Sequence, residues 1–530
     1  MPYSFSAPGP HRGDEAAASC IWLDPGTENS ASATMPEGVA RVRLPEPGDD
    51  LLSIDRQLST LPLISSNPPL PLGVGRGEGE SSLITHHSSL TTLFALLSRA
   101  EEYAVQPRDR HGRFQWYHSP LDSRELAASP VVSQYAGALL HEVREACARA
   151  GLPMIRKEAW PRGKRMGACL SHDVDVVRRG KLPRGIAVRD VKAALSSLAR
   201  GQVAAGVRKA AAIARTAAGG TDPYWTFDRM SHMEREHGYS STYYFMAGRL
   251  HPEDANYQPS QPRMRALMAG LLDSGCEIGL HGSYTGYQDA TSLARQKGLL
   301  ESALGAPVAG HRNHLLRFSV PGSWTAQEAA GFAYDATLGF ADREGFRGGH
   351  AFPFYPYDPR TGRAMKILEI PLAVMDVTLS KYRRLRGAPA WQAIRETLES
   401  TDAAGGLAVL LWHNDTFYEP DYPGSAALYA MTLEWLDGAD AHVATVGQVA
   451  RWWQARESVA MVPLERQHGL GWEIEIPEEI EGLVLRVAPA AEGACPRVSG
   501  ADCTMRRDGK DWLLEFDRLP ADGSIRVVLP

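Results

Sequence analysis

Residues 167–175 read Gly-Ala-Cys-Leu-Ser-His-Asp-Val-Asp, a short apolar run that ends abruptly in a polar, acid-rich cluster. The same texture recurs down the chain: SSTYYFMAG (240–248), EIGLHGSY (277–284), APVAGHRNH (306–314), ILEIPLAVMD (367–376) and LAVLLWHND (407–415). Helical periodicity lies between several of these runs, as in Arg263 to Ser274 just before EIGLH. Buried strands alternating with helices build βαβ units, and so a parallel sheet or barrel. In such folds chemistry gathers at the C-terminal ends of the strands. All of these runs but SSTYYFMAG carry His, Asp, Asn or Arg there.

Working outward, residues 1–20 are rich in Pro, Gly, Ser and Ala and are expected to be a disordered tail. Residues 21–153 read as a small α/β leader domain, with helices expected over Leu90–Tyr103 and Ser133–Ala150, the second stopped by Gly151 and Pro153. The barrel-like stretch covers 164–456. A basic helical insert, 178–220, interrupts it: Arg178 to Arg215 holds ten Lys/Arg and one acid, Asp190. A solvated basic hairpin is the favoured reading, and peripheral contact with a membrane or polyanion is the sharper one. From 464 to 530 the pattern turns all-β (WEIEI, LVLRV, WLLEF, SIRVV) and predicts a small β-sandwich-like domain.

Composition narrows the function. The 530 residues are 44% hydrophobic and 22% charged, an ordinary globular balance. Fifty-six Lys+Arg against 62 Asp+Glu give a net charge of −6, which offers nucleic acid no global basic field. No apolar run approaches the roughly 18–20 residues that span a bilayer. Six scattered cysteines form no Cys-x-x-Cys pair, although Cys495 and Cys503 are near enough in sequence to bond in an oxidising compartment. The N-terminus has neither a basic start nor an apolar core, so a secretory signal is not read there and a cytoplasmic location is expected.

The strand ends carry the chemistry. Asp173 and Asp175 share a side if the chain stays extended. Two such carboxylates either cap a turn or share a cation, one ligating while the other serves as base; the motif alone supports both readings equally. His281 follows an apolar run and suits a metal ligand or a structural histidine. Arg312, always charged, can hold a carboxylate ionised, and His413 can act as general acid. Converging at one end of a barrel, these groups form what a metal-assisted hydrolase needs.

In this order the motifs resemble the polysaccharide deacetylase family (NodB homology, carbohydrate esterase family 4). More narrowly, they are similar to a bacterial subgroup marked by HDVD, EIGLH-x-SY, GHR-x-H-x-LRF (310–318), YDATLGF (334–340), FRGG (346–349), EIPLAVMD (369–376) and LLWHN. The leader's LFALLSRAEEY and HGRF (111–114) resemble the uncharacterised domain that precedes the catalytic domain in that subgroup. The resemblance implies an irregular (β/α)7-type barrel, a divalent metal, most often zinc, and removal of acetyl groups from amino sugars or glycans in cell-surface polysaccharide metabolism.

Residue by residue, the resemblance makes Asp173 the catalytic base, Arg312 its partner, His413 the acid and Asp376 the acid of the fourth motif. Asp175 stands in as metal ligand, because the family's usual second Asp is Val174 here. His281 matches the first His of an H-x-x-x-H metal pair whose second position is Thr285. His314, His311 or His172 could supply the missing nitrogen, with His314 preferred because it shares the parity of Arg312 along a strand. Tyr284, Trp324 and Trp412 are candidate sugar-stacking residues, as is Tyr287. The competing reading is a metal-free, glycan-binding pseudoenzyme of the same fold with the β domain as a docking module.

Overall fold

The structure, a computed structural model, describes residues 21–24, 40–43, 99, 102, 107–119, 124–179, 188–218, 221–358, 360–464, 470–491 and 493–530. The expected tail 1–20 lies outside them, as does the expected helix 90–103 apart from Arg99 and Glu102.

The apolar runs do become strands: β1 (Met166–Val174), β2 (Thr242–Met246), β3 (Glu277–Gly282), β4 (Gly310–Asn313), β5 (Tyr334–Asp335), β6 (Leu368–Glu369), β7 (Val374–Met375), β8 (Leu407–Leu411) and β9 (Ala441–Val443). All pair in parallel, in the order β6-β5-β4-β3-β2-β1-β8-β7, with β9 beside the start of β1. Strands β6 and β7 sit at opposite ends of that order, yet only residues 370–373 separate them. Four extended residues reach roughly 14 Å, so the sheet must curl until its edges nearly meet. Backbone bonds continue the pairing on either side, from Ile370 N to Asp335 O on β5 (2.9 Å) and from Ala373 N to Val409 O on β8 (3.0 Å), so the connecting chain itself closes the gap. ILEIPLAVMD is thus one barrel position split in two, with Pro371, which lacks an N–H, at the break.

Every residue of β1 is buried, as expected for a strand covered on both faces. Its even members Met166, Ala168 and Leu170 join the layer under the outer helices. Cys169 faces the barrel interior with Tyr244, Tyr334 and Leu411, a cluster continuous with helix Val446–Ser458 and with the C-terminal sheets. This alternation turns Asp173 inward and His172 outward.

The leader contributes helix Val131–Arg149, close to the expected span. Glu102 anchors the leader: its buried carboxylate accepts from Arg347 Nη2 (2.5 Å) and Nε (3.0 Å), which ties it to FRGG. Burial pushes the Glu102 pKa up, but Arg347 and Arg99 outweigh it and hold the carboxyl below its usual range, towards about 2. A depressed carboxyl stabilises the fold above its unfolded value near 4.5 and loses that contribution as pH falls towards 2. Stability on the order of 3 kcal/mol is therefore expected to disappear across that window. Urea midpoints at pH 5 and pH 3 should differ less in Glu102→Gln than in the parent; an equal difference would refute the assignment.

Two four-stranded antiparallel sheets form the C-terminal sandwich: 460–463, 470–476, 523–529 and 497–499 in one, and 504–508, 511–519, 480–488 and 154–157 in the other. The sandwich therefore reaches beyond 464–530 and takes in Met154–Lys157, which precedes the barrel and pairs with residues 485–488. Short alternation in MIRK, with Ile155 buried, suits a sheet edge. The five described cysteines are free thiols, Cys495 and Cys503 included. The insert forms a hairpin of α1 (Val188–Ala199) and α2 (Val203–Ala217), turned at Gly201 with φ 73°. Among the described residues no helix is long and apolar enough to cross a membrane.

Candidate metal centre

Asp175, just past β1, brings Oδ1 within 3.1 Å of His281 Nε2 and 3.3 Å of His314 Nδ1. The two ring nitrogens stand 3.2 Å apart. The other nitrogen of each ring is already committed. His281 Nδ1 donates to the Arg312 carbonyl (3.0 Å) and His314 Nε2 to the Glu253 carbonyl (3.1 Å). A carbonyl can only accept, so these bonds fix the tautomers and turn two lone pairs toward Asp175. Asp175 Oδ1 is buried and makes no hydrogen bond. Three lone-pair atoms facing one another repel unless a positive charge sits among them. Donors about 2.0–2.1 Å from a tetrahedral cation stand roughly 3.3–3.4 Å apart, so the triangle fits a zinc-sized ion.

The carboxylates also act on the titration of the centre. Burial disfavours charge on His281, but Asp173 and Asp175 prevail and raise its pKa. Burial likewise pushes Asp175 up, and His314 and His281 overcome it and hold the carboxyl well below its usual range.

Arg312, fully buried on β4, donates from Nη1 to Asp173 Oδ1 (3.1 Å) and to Ser171 Oγ (2.8 Å). Its Nε reaches the Ala336 carbonyl (2.9 Å), and its guanidinium lies 4.4 Å from the centre of the Tyr244 ring. Asp173 Oδ2 lies 3.7 Å from His281 Nε2, which sets the paired carboxylate at the edge of the triangle.

Across the site, His413 Nδ1 donates to Asp376 Oδ1 (2.8 Å), and Asp376 Oδ2 accepts from the His413 backbone (2.8 Å) and Thr416 Oγ1 (2.6 Å). His413 Nε2 comes within 3.7 Å of Asp175 Oδ2. Burial opposes protonation of His413, but Asp376, with Asp175 and Asp173, pushes its pKa up to about 10.

The structure thus brings Asp173, Asp175, His281, Arg312, His314, Asp376 and His413 together. The two other histidines considered for the missing nitrogen are elsewhere. His172 points outward, donating from Nδ1 to the Trp412 carbonyl (2.8 Å) with Nε2 2.6 Å from Glu234. His311 pairs with Asp335 (2.9 Å). Thr285 is exposed.

His314 arrives by a different route from the one expected. Strand β4 stops at Asn313, and a tight turn with Leu315 (φ 57°) and Leu316 (φ 52°) left-handed swings the ring in. The leader holds this turn: Arg113 Nη1 donates to the Leu315 carbonyl (3.1 Å), and Arg317 Nε to the His111 carbonyl (2.7 Å). Neither Arg113 nor Glu253 was singled out from sequence. Their part lies in backbone contacts across long separations, which leave no spacing signal.

The stacking candidates need correction. Trp324 is fully buried with its indole N–H on Glu369 Oε2 (2.6 Å), so it is core. Tyr284 stacks on His251 (4.4 Å), is covered by the Arg317 guanidinium (4.1 Å) and bonds His111 (3.2 Å); its faces are taken. Tyr287 likewise lies under Arg317, at 4.2 Å. Trp412 is buried beside Tyr429.

Residues 71–147 match the family of unknown function DUF7033. No curated protein matches the chain. Solved structures similar to it include a protein assigned as a polysaccharide deacetylase from Mycobacterium smegmatis, at 19% identity over 56% of this chain and 93% of that one, TM-score 0.35. Another is the peptidoglycan deacetylase PdaC from Bacillus subtilis, at 12% identity over 55% of this chain and 94% of that one, TM-score 0.26. A third is a CE4-family pseudoenzyme from Bacillus anthracis, at 11% identity over 55% of this chain and 66% of that one, TM-score 0.27.

Proposed function

We propose that this chain is a metal-dependent hydrolase that removes an acyl group, acetyl in the simplest case, from an amino sugar of a glycan. The observation that carries the reading is the triangle of Asp175 Oδ1, His281 Nε2 and His314 Nδ1, with both imidazole N–H groups turned away onto carbonyls. One carboxylate and two imidazoles suit zinc. A divalent cation bound there supplies Lewis acidity to an acyl carbonyl and acidifies a water.

The chain's own groups handle the protons. Arg312 occupies one oxygen of Asp173 and leaves the other to accept a proton from the attacking water. His413, oriented by Asp376 and protonated at neutral pH, donates to the leaving nitrogen. A carbon–oxygen bond forms and the carbon–nitrogen bond breaks, giving a carboxylic acid and a free amine. The base adjoins the triangle at His281 and the acid adjoins it at Asp175, each at 3.7 Å, so both are within reach of one bound acyl group.

For the insert we favour a solvated basic hairpin, and contact with anionic membrane is the second reading. Leu195, Val203 and Val207 are each more than half exposed, while Asp190 and Ser197 of α1 are buried. Exposed aliphatics among basic residues suit a lipid surface.

The test is metal content together with acetate release from N-acetylated chito-oligosaccharides. Chelation is expected to abolish release and zinc to restore it. Glycan binding without metal and without acetate would instead establish the pseudoenzyme reading, and release that survives chelation would end the metal assignment.

A further inference from the structure

A cavity of about 390 Å³ adjoins the centre, enclosed by α1, residues 376–386 and residues 421–428. Asp376, the partner of His413, forms part of its wall, and so does Trp412. Its polar lining consists mainly of donors. Trp412 Nε1 is buried, in a residue 1% exposed, and has no acceptor. Ser380 Oγ is buried with no partner either. A buried indole N–H without an acceptor costs about 1–3 kcal/mol, so a ligand oxygen there would be rewarded.

The charges point the same way. Arg179, also in the wall, lies between Asp190 and Asp421, a group that carries one net negative charge, which the two cations at the rim exceed by one. Asp376 is balanced by His413. Lys381 and Arg386 are exposed at the rim, and among the described residues neither has a carboxylate within ion-pair distance. Lys381 lies 5.4 Å from the centre of the Tyr422 ring. Two rim cations and two unpaired buried donors describe a receptor for an oxyanion.

We propose that this cavity is a subsite for an oxyanion, a carboxylate or a phosphate, borne by the substrate close to its acylated nitrogen. The proposal rests on the hydrolase reading for its biological meaning, but its binding chemistry stands alone. It makes the substrate an acidic glycan and gives Lys381, Arg386, Ser380 and Trp412 the task of fixing which residue of the chain enters.

The experiment is calorimetric titration of chelator-treated full-length protein, so that no metal takes the anion, with inorganic phosphate, with glucuronic acid and with neutral glucose. Binding of phosphate or of glucuronate is expected, the tighter of the two naming the source, with glucose at least about tenfold weaker. The double variant Lys381→Ala/Arg386→Ala, both residues exposed, should weaken the anion about tenfold or more at unchanged thermal midpoint. Trp412→Phe keeps an aromatic ring and removes the N–H, and should weaken it severalfold. Absence of anion binding, binding indifferent to the double variant, or glucose binding equally well would each overturn the proposal. Failure of acetate release with anion binding intact would overturn the hydrolase reading alone.

Discussion

Asp173→Asn is expected to cut kcat for acyl release by roughly 10²–10⁴-fold, the usual contribution of a positioned general base, while metal content stays stoichiometric. The separation follows from geometry. Asp173 gives one oxygen to Arg312 and keeps 3.7 Å from His281, whereas Asp175 holds the short contacts to both histidines. Asparagine keeps the shape and can still accept from Arg312, so the fold is expected to survive. Metal analysis beside steady-state kinetics checks it. Loss of metal together with rate would make Asp173 a ligand, and full activity would remove it as base.

His314→Ala should have the opposite signature, loss of the metal itself. One of three protein donors disappears, and affinity is expected to fall by more than about 10²-fold, beyond the 10–100-fold typical of groups that only orient a ligand. His311→Ala is the matched control: it sits three residues earlier, is fully buried and pairs with Asp335. That variant should lose stability and keep its metal. Competition with a zinc-binding dye separates the two; equal affinity in parent and His314→Ala would dismantle the centre.

Much of this was legible in the sequence, for identifiable reasons. Period-2 alternation put Asp173 and Asp175 on one side of the chain, although His172 stayed open as a ligand, and the ends of parallel strands necessarily share one rim. Helical periodicity predicted Val131–Arg149 to within two residues at its start. Parity, in contrast, chose His314 on grounds the backbone does not honour, because β4 ends one residue earlier. Aromatic content said nothing about exposure: Trp324 finds a buried acceptor in Glu369, 45 positions away. The clamp of Arg113 on the His314 turn spans 202 positions, and no local pattern announces a hydrogen bond to a backbone carbonyl.

The pairing of Met154–Lys157 with residues 485–488 has a consequence for how the protein can be cut and how it can move. Lys157 adds a rivet, its buried ammonium donating to the carbonyls of Arg456 (2.6 Å) and Val459 (2.9 Å). Chain entering the barrel and chain leaving it are thus fastened to the same β layer. The C-terminal unit cannot swing on a tether like a docking arm. A fragment that starts at 164 and runs to 530 would keep residues 485–488 without Met154–Lys157 and bare a raw hydrogen-bonding edge, the sort of seam along which truncated proteins clump.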